Sequence, residues 1–478
     1  MNCHQIPSGE VQWISDSFVD PSGRVFEWQG EIYRMINSSH ATFWRSLFDK
    51  GIVQELVRKQ LIVSSELTEY TGDTGELIIR HQRIPVISYC FEWSPGMLKE
   101  AALLTLELCI RLAEKELTLQ DAHPWNILFD GHNPVFIDLG SITPVRPDIL
   151  WAPYQQFCNF FLFPLYLYSA NCDRLARWLL RDYLYGVTDG DALMALPYSF
   201  KLFHPHRTLK VWLPRFLSKV LNHLPQPLRN QFLSFAKTAN SNFSHRRLRI
   251  KFLESLRKDI ETLKLGRSSS RWSAYYRTPD ANYFATDISP GEWHLKQEIV
   301  SRLINKIAPK SVLDVGTNTG QYAILAALSG ARVIACDLDV SSVDICYGDA
   351  RKQGLNLLPL VTNVFSISPL PGRGGVAYPP ATTRFRSDLV LGLALIHHVV
   401  SIQRLDISRI VDIFDRLTER SLLLEFVRPL EPSVGGAVVK SLDDYCLDDL
   451  ERCLKQSFAT VTLHSSYPDD RKLLLCER

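Results

Sequence analysis

Hydrophobic residues in the last third of the chain alternate between short unbroken runs and longer segments with helical spacing. Unbroken apolar runs are typical of strands buried on both faces, and the longer segments are typical of helices that cover a sheet. The pattern predicts helices alternating with strands at residues 311–315, 332–337, 359–363, 388–395 and 421–427. Such alternation predicts a mainly parallel sheet in an α/β domain with a Rossmann-like arrangement.

Two more apolar runs, residues 459–463 and 472–476, lie close together near the C-terminus. A short segment containing Tyr467-Pro468-Asp469-Asp470 separates them, and its Pro and Asp residues favour a turn. We therefore expect a β-hairpin that adds an antiparallel end to the parallel sheet.

The first half of the chain has a less regular pattern. Short β-like stretches surround a helical pattern between Ala41 and Gln60, which predicts a small α+β lobe with strands at residues 24–28, 31–35, 77–80 and 85–91. Helical spacing then extends from Gly96 to Leu117 and is followed by a polar loop and hairpin over residues 120–141. Residues 150–240 are rich in Leu, Phe and Trp and predict a helical lobe.

A basic segment separates the two halves. Residues 244–277 contain ten Lys or Arg residues and include a Gly/Ser/Arg-rich stretch that is typical of a linker. The charges suit either the solvated face of a helix or a surface for an anionic partner. We therefore expect a first domain at residues 1–243 with lobes at 1–95 and 96–243, a basic helix and linker at 244–284, and a second domain at 285–478.

Composition excludes some classes of protein. With 478 residues, of which 46 % are hydrophobic and 22 % charged, the chain is long enough for roughly two or three globular domains. Its 53 basic and 51 acidic residues give a net charge of +2, so the sequence carries no clear nucleic-acid signal. The ten cysteines form no Cys-x-x-Cys pair, which favours a reducing, cytoplasmic location over a disulfide framework or a metal site.

No segment has the pattern of a targeting or membrane-spanning sequence. The first ten residues lack a basic region followed by an apolar stretch, so we expect no signal peptide. The longest aromatic and apolar run, residues 157–170, contains Asn159 and Pro164 and is shorter than the ~20 residues needed to span a bilayer. We expect this run to form a buried helix and the chain to have no transmembrane segment. The sequence does not define an oligomeric state.

A glycine-containing turn, Leu313-Asp314-Val315-Gly316-Thr317-Asn318-Thr319-Gly320, follows the first strand of the α/β domain. Ligands of open parallel sheets bind beyond the carboxyl ends of the strands, and Gly316 and Gly320 let a ligand approach the backbone closely there. The turn differs from a dinucleotide fingerprint, because the carboxylate of Asp314 precedes the first glycine and suits a ligand with an ammonium group. Asp337 ends the next strand, where a carboxylate can accept hydrogen bonds from both hydroxyls of a ribose. These features predict a site for an adenosine-containing ligand, with a purely structural turn as the alternative.

Residues 292–478 resemble the class I S-adenosylmethionine-dependent methyltransferases. The resemblance implies S-adenosylmethionine as the cofactor. It assigns the methionine part to Asp314, Gly316 and Gly320, the ribose to Asp337 and the adenine to Asn363. Asn318 stands where the family has a second glycine. Because Asn tolerates left-handed backbone better than other non-glycine residues, we expect the turn to be kept and include Asn318 in the cofactor site.

Three side chains at the predicted carboxyl ends of later strands are candidates for catalysis. His397 and His398 follow the fourth strand, where the resemblance places residues that face the methyl acceptor. A near-neutral imidazole can remove the proton of an O or N nucleophile, so at least one histidine is a candidate base. Alternatively, one histidine caps the strand and the other packs in the core. Glu425 ends the fifth strand and suits either acceptor binding or a structural hydrogen bond.

The polar loop of the first half contains a second constellation, Asp121-Ala122-His123-Pro124-Trp125-Asn126, followed after a Gly-containing turn by Val135-Phe136-Ile137-Asp138. It resembles the catalytic and metal-binding loops of kinase-like, aminoglycoside phosphotransferase-like enzymes. The resemblance implies that Asp121 accepts a proton from an acceptor hydroxyl and that Asn126 and Asp138 hold Mg²⁺ for Mg-ATP. No glycine-rich phosphate loop is visible, and Arg34 is the nearest cationic candidate. An active phosphotransferase, a degenerate nucleotide- or substrate-binding lobe and a structural loop all stay open.

Taken as a whole, the chain is similar to the bacterial family of the host-specific nodulation protein NoeA. The similarity lies in the combination of these amino-terminal motifs with Gly-Thr-Asn-Thr-Gly and Leu-Ala-Leu-Ile-His-His. The resemblance implies a methyltransferase without defining its substrate. We expect methyl transfer from S-adenosylmethionine to an O or N nucleophile of a small-molecule or carrier-bound acceptor, with the first domain recruiting or shaping that acceptor. The alternatives are a phosphotransferase fused to a cofactor-sensing Rossmann-like domain, and a non-catalytic scaffold with two degenerate nucleotide sites.

Overall fold

The computed structural model describes residues 4–7, 9–14, 22–146, 149–231, 246–266, 270, 272–273, 293–366, 378–428 and 445–478. The chain forms two compact units. The first comprises Met1–Phe91, Met97–Phe129 and Pro134–Gly266, and the second comprises Glu92–Gly96, Asp130–Asn133 and Arg267–Arg478. Within the described part of the chain, no helix has both the length and the apolar character needed to cross a membrane.

A six-stranded sheet forms the amino-terminal part of the first unit. In sequence order its strands are His4–Gln5 (β1), Gln12–Trp13 (β2), Gly23–Trp28 (β3), Glu31–Ile36 (β4), Ser65–Thr71 (β5) and Leu77–His81 (β6). Their spatial order is β1-β5-β6-β4-β3-β2, and every neighbouring pair except β1 with β5 is antiparallel. The helices Ser38–Asp49 (α1) and Ile52–Arg58 (α2) follow β4, so the predicted α+β lobe is confirmed.

One sequence prediction for this lobe is wrong, and one long strand was not predicted. Residues 85–91 form no strand, and an irregular segment there leads into a short 3₁₀ helix, Cys90–Glu92. Pro85 has no N–H group to donate to a strand ladder, which disfavours a strand at this point. Conversely, β5 escaped prediction because its polar residues, such as Glu66 and Glu69, give no apolar face, and most of the strand is half-buried or exposed.

The rest of the first unit is mainly helical. Two strand pairs frame the polar loop, Leu117–Leu119 (β7) with Ile142–Pro144 (β10) and Ile127–Asp130 (β8) with Asn133–Phe136 (β9). The helices are Pro95–Ala113 (α3), Tyr154–Phe157 (α4), Phe163–Ser169 (α5), Asp173–Leu179 (α6), Asp189–Ala195 (α7), Tyr198–Phe203 (α8), Pro205–His223 (α9) and Arg246–Glu261 (α10).

The long aromatic run is a buried helix, as predicted. A π-helical turn at Cys158–Leu162 joins α4 to α5, and the side chains of residues 160–168 are all buried. Their burial among neighbouring helices explains why a stretch so rich in Phe and Leu needs no bilayer.

A seven-stranded sheet forms the second unit. Its strands are Ser311–Val315 (β11), Arg332–Asp337 (β12), Leu357–Val361 (β13), Ser387–Gly392 (β14), Thr418–Phe426 (β15), Thr460–Ser465 (β16) and Lys472–Glu477 (β17). The spatial order is β13-β12-β11-β14-β15-β17-β16. The pairs among β11 to β15 are parallel, whereas β17 is antiparallel to β15 and to β16. The predicted Rossmann-like sheet and its antiparallel C-terminal hairpin are confirmed.

Helices follow most of the parallel strands. They are Leu295–Ile307 (α11), Gln321–Leu328 (α12), Val340–Gln353 (α13), Ala381–Arg384 (α14), Ile396–His398 (α15), Ile407–Leu417 (α16) and Leu447–Ser457 (α17). All five residues of β11 are buried, as expected of a central parallel strand that is covered on both faces. Because the five parallel strands point the same way, the segments that leave their carboxyl ends gather at one edge of the sheet.

Candidate active site

The turn between β11 and α12 has the open backbone that its sequence predicts. Gly316, Asn318 and Gly320 have positive φ angles of 77°, 52° and 90°. A Cβ atom at Gly316 would lie 2.9 Å from Leu395 Cδ1, and a Cβ atom at Gly320 would collide with the Cys346 sulfur. Both positions therefore require glycine, and Asn318 adopts the left-handed conformation that Asn tolerates.

Two carboxylates lie at this turn, the buried Asp314 and the half-buried Asp337. Asp314 accepts a hydrogen bond from Thr317 Oγ1 at 2.7 Å, and burial raises its pKa to about 6. Asp337 accepts hydrogen bonds from the backbone N–H groups of Asn318 at 2.8 Å and Asp339 at 2.9 Å, and burial raises its pKa as well. Because burial penalises the charged form of both acids, a cationic or hydroxyl-bearing ligand at this edge would stabilise their carboxylates.

Asn363, the predicted adenine residue, follows β13 and is held by a partner that the sequence did not indicate. Its side-chain amide donates to Gln403 Oε1 at 2.9 Å, and its carbonyl oxygen accepts from the backbone N–H of Phe365 at 3.0 Å. Gln403 ends a π-helical turn, Val399–Gln403, that directly follows the two histidines. The hydrogen bond therefore connects the segment after β13 to the segment after β14.

The two histidines lie together in the short helix after β14. Their ring centroids are 4.0 Å apart, and His397 Nδ1 is buried without a hydrogen-bond partner. Burial, with smaller contributions from the neighbouring His398, Arg471 and Lys296, lowers the pKa of His397 to about 3. The His397 imidazole is therefore neutral throughout the physiological pH range.

Glu425 belongs to a buried polar cluster at the end of β15. It is fully buried, and its Oε2 lies 2.5 Å from Lys296 Nζ while its Oε1 accepts a hydrogen bond from Ser466 Oγ at 2.8 Å. Burial lowers the pKa of Lys296, an effect that the Glu425 charge opposes. Both carboxylate oxygens of Glu425 thus accept hydrogen bonds. In this arrangement Glu425 orients Lys296 and Ser466.

Lys296 escaped sequence analysis, although a signal was present. It lies on α11, one helical turn before the buried residues Ile299 and Val300, so it occupies the apolar face of that helix. A lysine is almost never fully buried unless it is paired, so its position on that face indicated a buried acidic partner.

A second missed feature comes from the predicted linker. The carbonyl oxygen of Trp272 accepts a hydrogen bond from Asn318 Nδ2 at 3.2 Å, and its indole packs edge-on against His398 with centroids 5.3 Å apart. Ser270 Oγ donates to Asp339 Oδ1 at 2.9 Å. This short segment therefore contacts the turn after β11, the loop after β12 and the histidine pair.

The kinase-like constellation lies in the first unit, and its predicted residues come close together. Asn126 Nδ2 donates to Asp138 Oδ2 at 3.4 Å, and Gln156 Nε2 donates to Asp121 Oδ1 at 3.2 Å. Arg34 Nη2 forms an ion pair with Asp138 Oδ1 at 2.8 Å, with the Arg34 side chain almost fully buried. Gln156 was not identified from the sequence because only the fold brings α4 beside the loop.

The ion pair bears on the predicted Mg²⁺ ligands. A divalent cation held by Asn126 and Asp138 would meet a carboxylate whose charge a guanidinium already neutralises. The positively charged Arg34 guanidinium would lie beside the metal and repel it. The side chains present therefore fit a guanidinium-neutralised carboxylate better than a Mg²⁺ site.

The chain matches no protein-family model. It is 28 % identical over 486 residues to nodulation protein NoeA of Rhizobium meliloti (strain 1021), a match that covers 97 % of this chain and 96 % of that protein. A stretch of 68 residues is 40 % identical to ribosomal protein L11 methyltransferase of Syntrophotalea carbinolica, covering 14 % of this chain and 21 % of that protein.

Among solved structures, the bifunctional kinase-methyltransferase WbdD matches 43 % of this chain and 46 % of its own, with 18 % sequence identity and a TM-score of 0.32. A likeness of that extent does not establish a shared activity. The sequence match to NoeA extends over nearly all of both chains, and the strand order of the second unit is that of the class I methyltransferases. The chain is therefore similar to NoeA over nearly all of its length, with an amino-terminal α+β unit and a C-terminal Rossmann-like unit of the class I methyltransferase type.

Proposed function

We propose that the second unit transfers the methyl group of S-adenosylmethionine to an O or N nucleophile of a small-molecule or carrier-bound acceptor. The observation that carries this proposal is a pair of carboxylates with raised pKa values, the buried Asp314 and the half-buried Asp337, at a turn that two obligatory glycines keep open. In this proposal Asp314 and the turn hold the methionine part, Asp337 the ribose hydroxyls and Asn363 the adenine.

The side chains present suit such a ligand. An ammonium group beside Asp314 would supply the positive charge that favours its ionised form. Asp337 accepts one backbone hydrogen bond on each oxygen, and since a carboxylate has about four lone-pair sites, it retains capacity for two hydroxyl donors. When bound, the cofactor supplies a methyl group on a positively charged sulfur, and the chain's own task is to align the nucleophile with it.

On the acceptor side, we assign His397 and His398 to the face that the nucleophile approaches. Glu425 is proposed to position Lys296 and Ser466, because both its oxygens already accept from these donors. The neutral His397 ring can donate or accept a hydrogen bond without a change of charge. Alignment by these groups fits a reaction in which proximity supplies much of the rate enhancement.

Calorimetric titration with S-adenosylmethionine tests the proposal directly. Wild-type protein should bind, and Asp337→Ala should weaken binding about 10- to 100-fold, because hydrogen bonds to a charged group contribute about 1.5–3 kcal/mol. Asp412→Ala is the matched control, since Asp412 is an exposed aspartate on α16 that pairs with Arg416 on the surface. Failure of the wild-type protein to bind, or equal binding by Asp337→Ala, would refute the proposal.

The first unit is proposed to recruit or shape the acceptor. Phosphotransfer by this unit is a second candidate function, favoured by the closeness of Asn126 to Asp138 and opposed by the Arg34 ion pair. The two functions differ in whether ATP binding depends on Mg²⁺.

A further inference from the structure

Two polar side chains beside the Glu425 cluster make no side-chain hydrogen bond to any described residue. His397 Nδ1 is buried without a partner. The Arg471 side chain is 22 % exposed, and its Nη1 lies 3.9 Å from Glu425 Oε1, within ion-pair range and beyond hydrogen-bond distance. A buried donor or acceptor without a partner costs about 1–3 kcal/mol, so the buried His397 Nδ1 needs a reason to persist, whereas the partly exposed Arg471 is open to a ligand from solvent.

The charges explain why Arg471 is available. Glu425 Oε2 is engaged by Lys296 at 2.5 Å, and Oε1 already accepts from Ser466 at 2.8 Å. Lys296 thus neutralises the Glu425 carboxylate, and Arg471 adds a second positive charge 3.9 Å from Glu425 Oε1. Both cations and the neighbouring His398 lie near enough to His397 to act on its charge, and Asp314 acts on Lys296 in turn.

This environment disfavours a positively charged imidazole. A base at this position would have to accept a proton beside two cations and a buried ring neighbour. A neutral imidazole here is a hydrogen-bond donor instead, and the arginine supplies a planar fork that matches oxyanions. A ligand that accepts hydrogen bonds from both the Arg471 guanidinium and the His397 imidazole must carry a negative charge on oxygen.

We propose that the methyl acceptor presents an oxyanion, a carboxylate or a phosphate ester, which the Arg471 guanidinium and the His397 imidazole bind. This inference rests on the proposed methyltransferase function and deepens it by naming the acceptor class. Arg471 determines specificity for a charged acceptor, and His397 positions the reacting oxygen.

The reaction then balances without a base. A lone pair of the oxyanion forms the O–C bond to the methyl group as the C–S bond breaks, and the electron pair of that bond stays on sulfur. The acceptor loses one negative charge as it becomes a methyl ester, the sulfonium loses its positive charge, and no proton moves. Neutralisation of opposite charges in the transition state favours a site that holds the anion without protonating it.

The test is calorimetric titration of the full chain, saturated with S-adenosylhomocysteine, with sodium acetate and separately with inorganic phosphate at constant ionic strength. One or both anions should bind, which distinguishes a carboxylate from a phosphate acceptor. Arg471→Gln should weaken binding at least about tenfold, in line with the ≈ 1.5–3 kcal/mol of a charged hydrogen bond. Arg471→Lys should retain part of the affinity, because it keeps the charge and loses the fork.

Arg420→Gln is the matched control, because Arg420 is an exposed arginine near the amino end of β15, at the opposite end of that strand from Glu425. It should leave anion binding unchanged. The affinity of wild-type protein for acetate should also stay constant between pH 6 and 9 if His397 is neutral, whereas His397→Ala should lower it at every pH.

Equal anion binding by wild type and Arg471→Gln would overturn the inference. It would also be overturned if a protein that binds S-adenosylhomocysteine bound neither acetate nor phosphate. The second result would leave the proposed methyltransferase function standing. Failure to bind either S-adenosylmethionine or its product would instead refute both proposals.

Discussion

Asp314 is an acid whose pKa of about 6 lies well above its ordinary value of 3.8. Its folded-state pKa is raised, so the folded protein binds this proton more tightly than the unfolded chain does between those two values. The free protein should therefore gain stability as pH falls from about 6 toward 4, and it should lose that contribution as pH rises through 6. Asp337 acts with the same sign because burial raises its pKa too.

Cofactor affinity should change in the opposite direction. An ammonium group binds the ionised form of Asp314, so the affinity for S-adenosylmethionine should fall as pH drops below about 6. Calorimetry and thermal unfolding from pH 5 to 8 would measure both trends in one preparation. Asp314→Asn should bind weakly with little pH dependence and should melt higher than wild type at pH 7 to 8, whereas Asp412→Asn should match wild type. An affinity that rises on acidification would contradict this role of Asp314.

The cofactor side of the site could be predicted from single residues, and the acceptor side could not. Gly316, Gly320 and Asp337 lie within a local pattern whose spacing dictates its geometry. The partners of Glu425 come from α11 and from the hairpin segment before β17, so only the assembled sheet brings Lys296 and Ser466 to it. The position of Lys296 on an apolar helix face was the one local signal of this cluster.

At the scale of elements, the segment around Trp272 joins the predicted linker to the cofactor turn. Its carbonyl accepts from Asn318, and its ring lies against His398. Trp272→Ala keeps the carbonyl and removes the ring. Since aromatic pairs contribute about 0.5–1.5 kcal/mol beyond their buried area, the affinity for S-adenosylmethionine should fall by roughly 3- to 10-fold.

Calorimetry on Trp272→Ala, Trp272→Phe and Trp178→Ala would measure that effect. Phenylalanine should restore most of the affinity because it keeps an aromatic edge toward His398. Trp178 is 65 % exposed in α6 of the first unit and is the matched control. Wild-type affinity in Trp272→Ala would show that only the backbone of this segment matters.

The same scale separates elements that were predictable from those that were not. The parallel strands of the second unit are continuous apolar runs, and their burial on both faces makes the sequence signal strong. Strand β5 is half-buried with polar residues on both faces, so no periodicity identifies it. Residues 85–91 include β-branched and aromatic residues, but Pro85 begins the segment without a backbone N–H donor.

At the scale of the whole molecule, two units carry two constellations of acidic side chains in different states. In the second unit, Asp314 is buried and Asp337 is half-buried, both have raised pKa values, and among the described residues no cationic side chain hydrogen-bonds to either carboxylate. In the first unit, Asp138 is already paired with Arg34. The chain therefore has one acidic site that gains from a cationic ligand and one whose charge is internally compensated.

This difference predicts how the first unit binds ATP. If the Arg34 guanidinium neutralises Asp138 in place of a metal ion, ATP should bind with the same affinity in the presence of Mg²⁺ and of EDTA. Asp138→Asn should change that affinity by less than about threefold, since the Arg34 guanidinium is then free to meet a phosphate. An active phosphotransferase requires the reverse, because Mg²⁺ neutralises the phosphate charge in that chemistry.

Calorimetric titrations of ATP into wild type, Asp138→Asn and Arg34→Met, each with Mg²⁺ and with EDTA, distinguish the two cases. Asp49→Asn is the control, since Asp49 is exposed at the end of α1. Arg34→Met leaves the Asp138 carboxylate uncompensated, so this variant should acquire Mg²⁺-dependent binding that wild type lacks. Binding by wild type that requires Mg²⁺ and disappears in Asp138→Asn would instead establish Asp138 as a metal ligand, and the first unit would then be a candidate phosphotransferase rather than a lobe that serves the methyl acceptor.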